Sequence, residues 1–198
     1  RHAARMSDII QKACFLDYNK GEPMVYRILS EEEITRPLFS AFNRRQVVGD
    51  CLRRENGEWV VRPDPFIDDW SEADYAFLVR CLRNTVRTGG FVCGAFLDGE
   101  LKGFVSVEAA PFGSENQYLD LTSIHVSADC RGHGAGRELF ARAADWARGR
   151  GAKKLYISSH SAVESQAFYR VMGCVDAVEV NAAHVEKEPF DRQLEYVL

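Results

Sequence analysis

The stretch Ile124–Gly151, IHVSADCRGHGAGRELFARAADWARGRG, sets how the rest of the chain is read. A short apolar run ends at Val126, glycines stand at positions 132, 134 and 136, and a helical pattern runs from Gly134 to about Arg148. Leu139, Phe140, Ala143, Trp146 and Ala147 form its apolar stripe. A strand therefore leads through a glycine loop into a helix. Such a loop aims successive backbone N–H groups at one point, where the helix dipole also favours negative charge. Without Cβ atoms an anion can approach the main chain closely. A bound phosphate is the functional reading; a connection that merely needs positive φ is the bland one.

Two well-known phosphate loops do not fit. A P-loop ends in Gly-Lys-Ser/Thr, whereas Gly136 is followed by Arg137-Glu138. A dinucleotide fingerprint needs G-x-G-x-x-G, and Leu139 stands where the third glycine belongs.

On either side, Tyr118–Val126 and Lys154–Ser158 read as strands, and Ser161–Met172 as a helix opened by the box Ser161-Ala-Val-Glu164 and stopped by Gly173. Two strands follow, Cys174–Val180 and Gln193–Leu198. Upstream, Phe91–Leu97 and Leu101–Ala109 flank Asp98-Gly99, a hairpin signal. A helix begins at Ser71, carries Phe77, Leu78, Cys81, Leu82 and Val86 on one face, and stops at Gly89-Gly90. Glu55–Trp70, with Asn56-Gly57, Pro63 and Pro65, reads as loop. Ser30-Glu31-Glu32-Glu33 opens a helix that Pro37 limits, after a first strand at Met24–Ile28. The sum is a single α/β domain over 24–198 with a mixed sheet. Residues 1–23 have no sustained period; they read as an extension that is not native, or as a short helix.

The chain has 198 residues and a net charge of −4, so no basic field is available for nucleic acid. Its six cysteines show no metal-ligand spacing, and Cys81 and Cys93 read as small core residues. That usage points to a reducing, cytoplasmic compartment. No apolar run reaches the ~18 residues of a membrane span.

Arg131, Gly134 and Gly136 do fit R-x-x-G-x-G. This resembles the pyrophosphate-binding motif of the GNAT acetyltransferase superfamily, which binds acetyl-CoA. A second element agrees: Ala167-Phe168-Tyr169-Arg-Val-Met172-Gly173 looks like the family's helix-ending signature. The resemblance runs from about Phe91 to the C-terminus and more loosely from Met24. It implies a mostly antiparallel central sheet flanked by helices, acetyl-CoA as co-substrate, no metal, and allows a homodimer. It places the cofactor on Ile124, His125 and Val126 through their main chain, and on Arg131, Gly132, His133, Gly134, Ala135, Gly136, Arg137 and Ser165. The chain departs from the family at Ala162, where an Asn contacting CoA is common, and at Cys174, where Phe is usual.

In the family the helix tyrosine lies beside the CoA sulfur. Acetyl transfer expels a thiolate whose conjugate acid has a pKa near ~8.5, and a phenol near ~10 remains protonated to donate to it. Tyr169 is the expected general acid. An amine must also lose a proton, and period 2 places Asp120 and Thr122 on one face with Ile124, with Ser123 and His125 on the other. Asp120 is the first candidate base and Glu108 the second. Trp59, Phe66, Asp68, Asp69, Trp70, Glu72, Asp74 and Tyr75 offer aromatic and acidic groups to a cationic acceptor. The function expected is acetyl transfer to a primary amine of a small molecule. A peptide or protein amine, or a non-catalytic CoA-binding sensor, are the alternatives.

Overall fold

The computed structural model describes residues 23–198. The expected extension therefore lies outside the described residues except for Pro23. The chain runs through β1 (Val25–Ile28), a 3-10 turn at Arg36–Phe39, β2 (Gln46–Glu55), β3 (Glu58–Asp68) and α1 (Glu72–Arg87). It continues through β4 (Phe91–Leu97), β5 (Glu100–Val107), β6 (Tyr118–Val126) and α2 (Ala135–Gly149). Then come β7 (Lys154–Ser159), α3 (Val163–Met172), β8 (Val175–Asp176), α4 (Ala182–Lys187) and β9 (Arg192–Val197).

Seven strands form one sheet in the order β1-β4-β5-β6-β7-β9-β8. Every neighbouring pair is antiparallel except β6 and β7, which are parallel. This is the mixed, mostly antiparallel sheet that was expected. Helices cover both faces. Leu139, Phe140, Ala143 and Ala147 of α2 and Tyr169 of α3 pack on Val105, Leu119 and Leu155. On the other face Tyr75, Leu78 and Leu82 of α1 meet Phe39, Phe96 and Phe104. The α1 cap is as the sequence predicts, with the Ser71 side chain accepting from the Asp74 N–H and the Asp74 carboxylate from the Ser71 N–H. The Asp98-Gly99 turn also forms, both residues at positive φ.

Several expectations need correction. Glu55–Trp70 is not loop: β2 and β3 make a separate two-stranded sheet, turned at Asn56 (φ 50°) and Gly57 (φ 89°). Pro63 and Pro65 are tolerated because β3, which carries both, pairs only with β2 among the described residues and leaves its outer edge open, and a register shift lies between Val48 and Asp50. At Ser30–Glu33 the Glu33 carboxylate does accept from the Ser30 N–H, but the chain makes only a turn before Pro37 enters the 3-10 segment. Phe77 and Cys81 of α1 are exposed rather than core, while Cys93 is buried. The strand expected over Cys174–Val180 shrinks to two residues. The segment after it forms α4, capped by the Asn181 side chain accepting from the Ala183 N–H. Ser161 does not cap α3. Its hydroxyl accepts from Arg53, and the cap residue is Ala162. Gln166 braces the turn instead, donating to the Ser159 hydroxyl and the His160 carbonyl, each at 2.8 Å.

Candidate active site

β6 and β7 lie side by side only at Tyr118–Asp120, opposite Lys154–Tyr156. Beyond that they part, β6 staying with β5 and β7 with β9. β6 carries a bulge here: Val107 faces Leu121, but Ser106 faces Ser123, so Thr122 is the extra residue. A bulge bends its strand and reverses which face later residues use. Leu119 and Leu121 are in the α2-side core, and Ile124 and Val126, partly buried, pack against it. The His125 ring instead meets Phe104 and Trp70 on the α1 side, at 5.3 and 4.9 Å between centroids. The expectation that Ile124 shares a face with Asp120 is thus overturned, and His125 has joined the Asp120 side.

The parting also frees main-chain groups. The Ser127 N–H donates to the Lys102 carbonyl at 2.8 Å. By antiparallel alternation His125 is then bonded to β5, and the N–H and C=O of Ile124 and Val126 point to the opposite edge. Among the described residues no strand lies there. The Val126 carbonyl accepts from Arg131 Nε at 3.0 Å.

The glycine loop follows. Gly134 is the N-cap of α2 at φ 89°, a left-handed conformation that a side chain strains. A Cβ on it would meet nothing within 4 Å, so its Cα borders open space. The first helical bond runs from the Glu138 N–H to the Gly134 carbonyl. The amides of Ala135, Gly136 and Arg137 consequently find no carbonyl one turn back and are available to an anion. At Gly136 the constraint is different: an added Cβ would lie 3.3 Å from the Phe168 ring, so glycine lets α2 and α3 approach.

Arg131 is half-buried, and its guanidinium donates to the carbonyls of Val126, Arg45 and Arg44 at 3.0, 3.1 and 3.0 Å. It ties the loop to β6 and to the segment before β2. Arg137 is exposed on α2, and His133 is exposed in the loop.

One cavity of about 1260 Å³ runs along the notch. Ile124, His125, Val126, Arg131, Gly132, Gly134, Ala135, Gly136 and Arg137 line it, and Ser165 and Tyr169 line it one turn apart on α3. Of the expected cofactor residues, all but His133 border this space. Tyr169 is 8% exposed, and its hydroxyl has no hydrogen-bond partner among the described residues. Burial pushes the phenol well above its ordinary pKa, with Cys174 and Asp191 adding to the shift, so it stays protonated. His125 is driven the other way, to about 3, by burial and then by Arg44, Arg131 and His160. It is a neutral aromatic wall.

Asp120 does not border the cavity. Its Oδ2 lies 2.6 Å from Nε2 of His184 on α4, and its Oδ1 is buried with no partner among the described residues. His184 does border the cavity. Glu108 borders it too, and accepts from the Thr85 hydroxyl. The sequence offered no view of His184, because six residues of α4 are too few for a periodicity to show. Only Asn181, a good cap residue, marks the place.

Of the aromatic and acidic groups expected at the acceptor end, Trp70 and Asp74 border the cavity. Asp68 is paired with Arg44, Glu72 with Arg36, and the Tyr75 hydroxyl donates to the Phe42 carbonyl. Trp59 sits on the small sheet beneath Arg54 and Arg192, and Phe66 against His160. Ala162, where the family often has Asn, is fully buried beside Val48 and Cys51 of β2. Among the described residues no group of His, Cys, Asp or Glu could hold a metal, and no helix is long and apolar enough to cross a membrane.

Residues 52–174 match the model of the acetyltransferase (GNAT) family, and the chain belongs to that family, whose members take acetyl-CoA as co-substrate. A streptothricin acetyltransferase of Streptomyces lavendulae is 43% identical over 60 residues, a stretch spanning 30% of each protein. Two solved structures share the fold. A putative streptothricin acetyltransferase from Bacillus anthracis, in complex with acetyl coenzyme A, has a TM-score of 0.66 at 16% identity, covering 89% of this chain and 98% of its own. A nourseothricin acetyltransferase has a TM-score of 0.61 at 21% identity, covering 88% and 96%.

Proposed function

We propose that this protein is an N-acetyltransferase that moves an acetyl group from acetyl-CoA directly to a primary amine of a small molecule. One observation carries the reading: the unpaired edge of β6, the free amides at the start of α2 and Tyr169 all border a single cavity. In this reading the amides of Ala135–Arg137 hold the diphosphate, with Arg137 at the rim. The β6 edge pairs with the pantetheine arm, and a main-chain N–H of Ile124 or Val126 steadies the oxyanion, a contribution of about 3 kcal/mol per donor. Tyr169 gives its proton to the departing thiolate. Arg131 serves by shaping the loop, and Asp120 serves the proton transfer without touching the amine.

The names of the relatives support a small-molecule acceptor, since one is a streptothricin and one a nourseothricin acetyltransferase. Streptothricin is accordingly the first acceptor to test. The test is calorimetry with acetyl-CoA, followed by thiol release in the presence of streptothricin and a panel of simple amines. Heat on binding together with amine-dependent thiol release is the expected result. Binding without release from any amine would leave a CoA-binding module in its place.

A further inference from the structure

We propose that His184 is the base that takes the proton from the attacking amine, and that Asp120 is the positioning residue that aims it. The inference rests on the acetyltransferase reading above and supplies the residue that reading lacks.

Two strands fix the His184 ring. From β6, Asp120 holds Nε2 at 2.6 Å. From β7, the Tyr156 ring stacks on it at 5.8 Å and 27°. Tyr156 is itself held, donating to Gln193 at 2.6 Å and accepting at 2.9 Å from the N–H of Asn181, the residue that caps α4. A ring so held presents one nitrogen to the carboxylate and leaves the other, Nδ1, with no hydrogen-bond partner among the described residues. His184 borders the cavity and Asp120 does not. A carboxylate behind an imidazole fixes its tautomer, placing the proton on Nε2 and the lone pair on Nδ1. Asp120 makes no other side-chain hydrogen bond among the described residues, its second oxygen being buried and unpaired. Its charge is therefore turned to His184.

The other candidates are worse placed. His125 ionises near 3 and is too weak a base. His160 Nδ1 already accepts from the Ala162 N–H. Glu108 accepts from Thr85 on the α1 side.

The step balances. Nδ1 takes an amine proton as the C–N bond forms at the thioester carbonyl; the C–S bond then breaks, and Tyr169 protonates the thiolate. The proton on His184 passes to solvent and Tyr169 recovers one from it. The charged and titratable groups facing the ring are Asp120 from β6, Tyr156 from β7, Lys187 on α4 itself and Asp191 before β9. The Asp120 hydrogen bond, helped by Asp191, raises the imidazole pKa against burial and Lys187. The base form appears above that raised pKa, so kcat rises with pH through it.

The experiment is the pH profile of kcat for thiol release in the wild type, Asp120→Asn and His184→Gln, with calorimetry of acetyl-CoA binding. Asp120→Asn keeps side-chain shape, and the amide introduced by His184→Gln retains an N–H for Asp120. Expected are an acidic limb that moves to lower pH in Asp120→Asn with a reduced plateau, and a kcat roughly 100-fold lower in His184→Gln at unchanged acetyl-CoA affinity. The amine's own ionisation also gives a limb, but that limb does not move when Asp120 changes. Profiles unmoved in both variants overturn the inference and leave the acetyltransferase reading intact. Absent thiol release by the wild type with every amine overturns that reading, and this inference with it.

Discussion

Arg131 reaches back across five residues to the carbonyl of Val126, at 3.0 Å, and commits the rest of its guanidinium to the carbonyls of Arg44 and Arg45. In a sequence motif the same residue reads as a phosphate cation. The two roles separate in Arg131→Lys. An ammonium keeps the charge but cannot bond three carbonyls as the planar fork does. We expect a loss of about 2 kcal/mol of stability in urea unfolding and a weaker acetyl-CoA affinity. Undiminished affinity would mean that charge alone matters there.

Gly134→Ala tests the loop itself. The strain at φ 89° costs roughly 1–2 kcal/mol in unfolding free energy. Its Cβ would point into open space, where the diphosphate is proposed to lie. Calorimetry should show acetyl-CoA binding weakened by more than that strain explains. An affinity equal to wild type would move the diphosphate elsewhere.

Tyr169→Phe removes a hydroxyl that has no partner among the described residues and leaves the ring in its core. Tyr169 borders the cavity, and losing its hydroxyl breaks no hydrogen bond within the described residues, so the cost in stability is small. The melting temperature should therefore hold and acetyl-CoA affinity should persist. Turnover at neutral pH should fall on the order of 100-fold. Unchanged turnover would take the phenol out of the mechanism.

Ala162→Asn restores the residue common in the family, and here it should harm. Ala162 is 0% exposed and bridges to Cys51 of β2. An amide there overpacks the contact and buries polar atoms, a cost of about 2 kcal/mol. Thermal unfolding reads the loss; a gain in acetyl-CoA affinity without it would contradict the packing described.

Glu195 carries the acid limb of stability. Burial alone would raise its pKa, but Lys154, Tyr118 and the Val178 N–H donate to it and hold it below the usual carboxylate range. A depressed carboxyl contributes above its unfolded value near ~4.3, and the contribution is lost as pH falls through the lower folded value. Glu195→Gln should cost about 2 kcal/mol at pH 7 and flatten the fall in stability below about pH 5. An equally steep fall in the variant would assign the limb to other carboxylates.

Local patterning alone settled the strand–glycine loop–helix unit, the hairpin at Asp98-Gly99, the capped helix from Ser71 and the tyrosine on the following helix. Each is written in short-range terms: periodicity, caps, turns and glycines placed where the backbone must be bare. The identification with the family, and the proposed cofactor residues, followed from those same short stretches. The facing of side chains on β6 was set at long range, because the extra residue at Thr122 arises from pairing with β5 and leaves no trace in a period-2 pattern. Pairing also made a two-stranded sheet of a proline-bearing segment that local rules read as loop. The meeting of Asp120 with His184, 64 residues apart, belongs to the same class. Contacts between distant segments depend on how the sheet closes, and no local pattern encodes them.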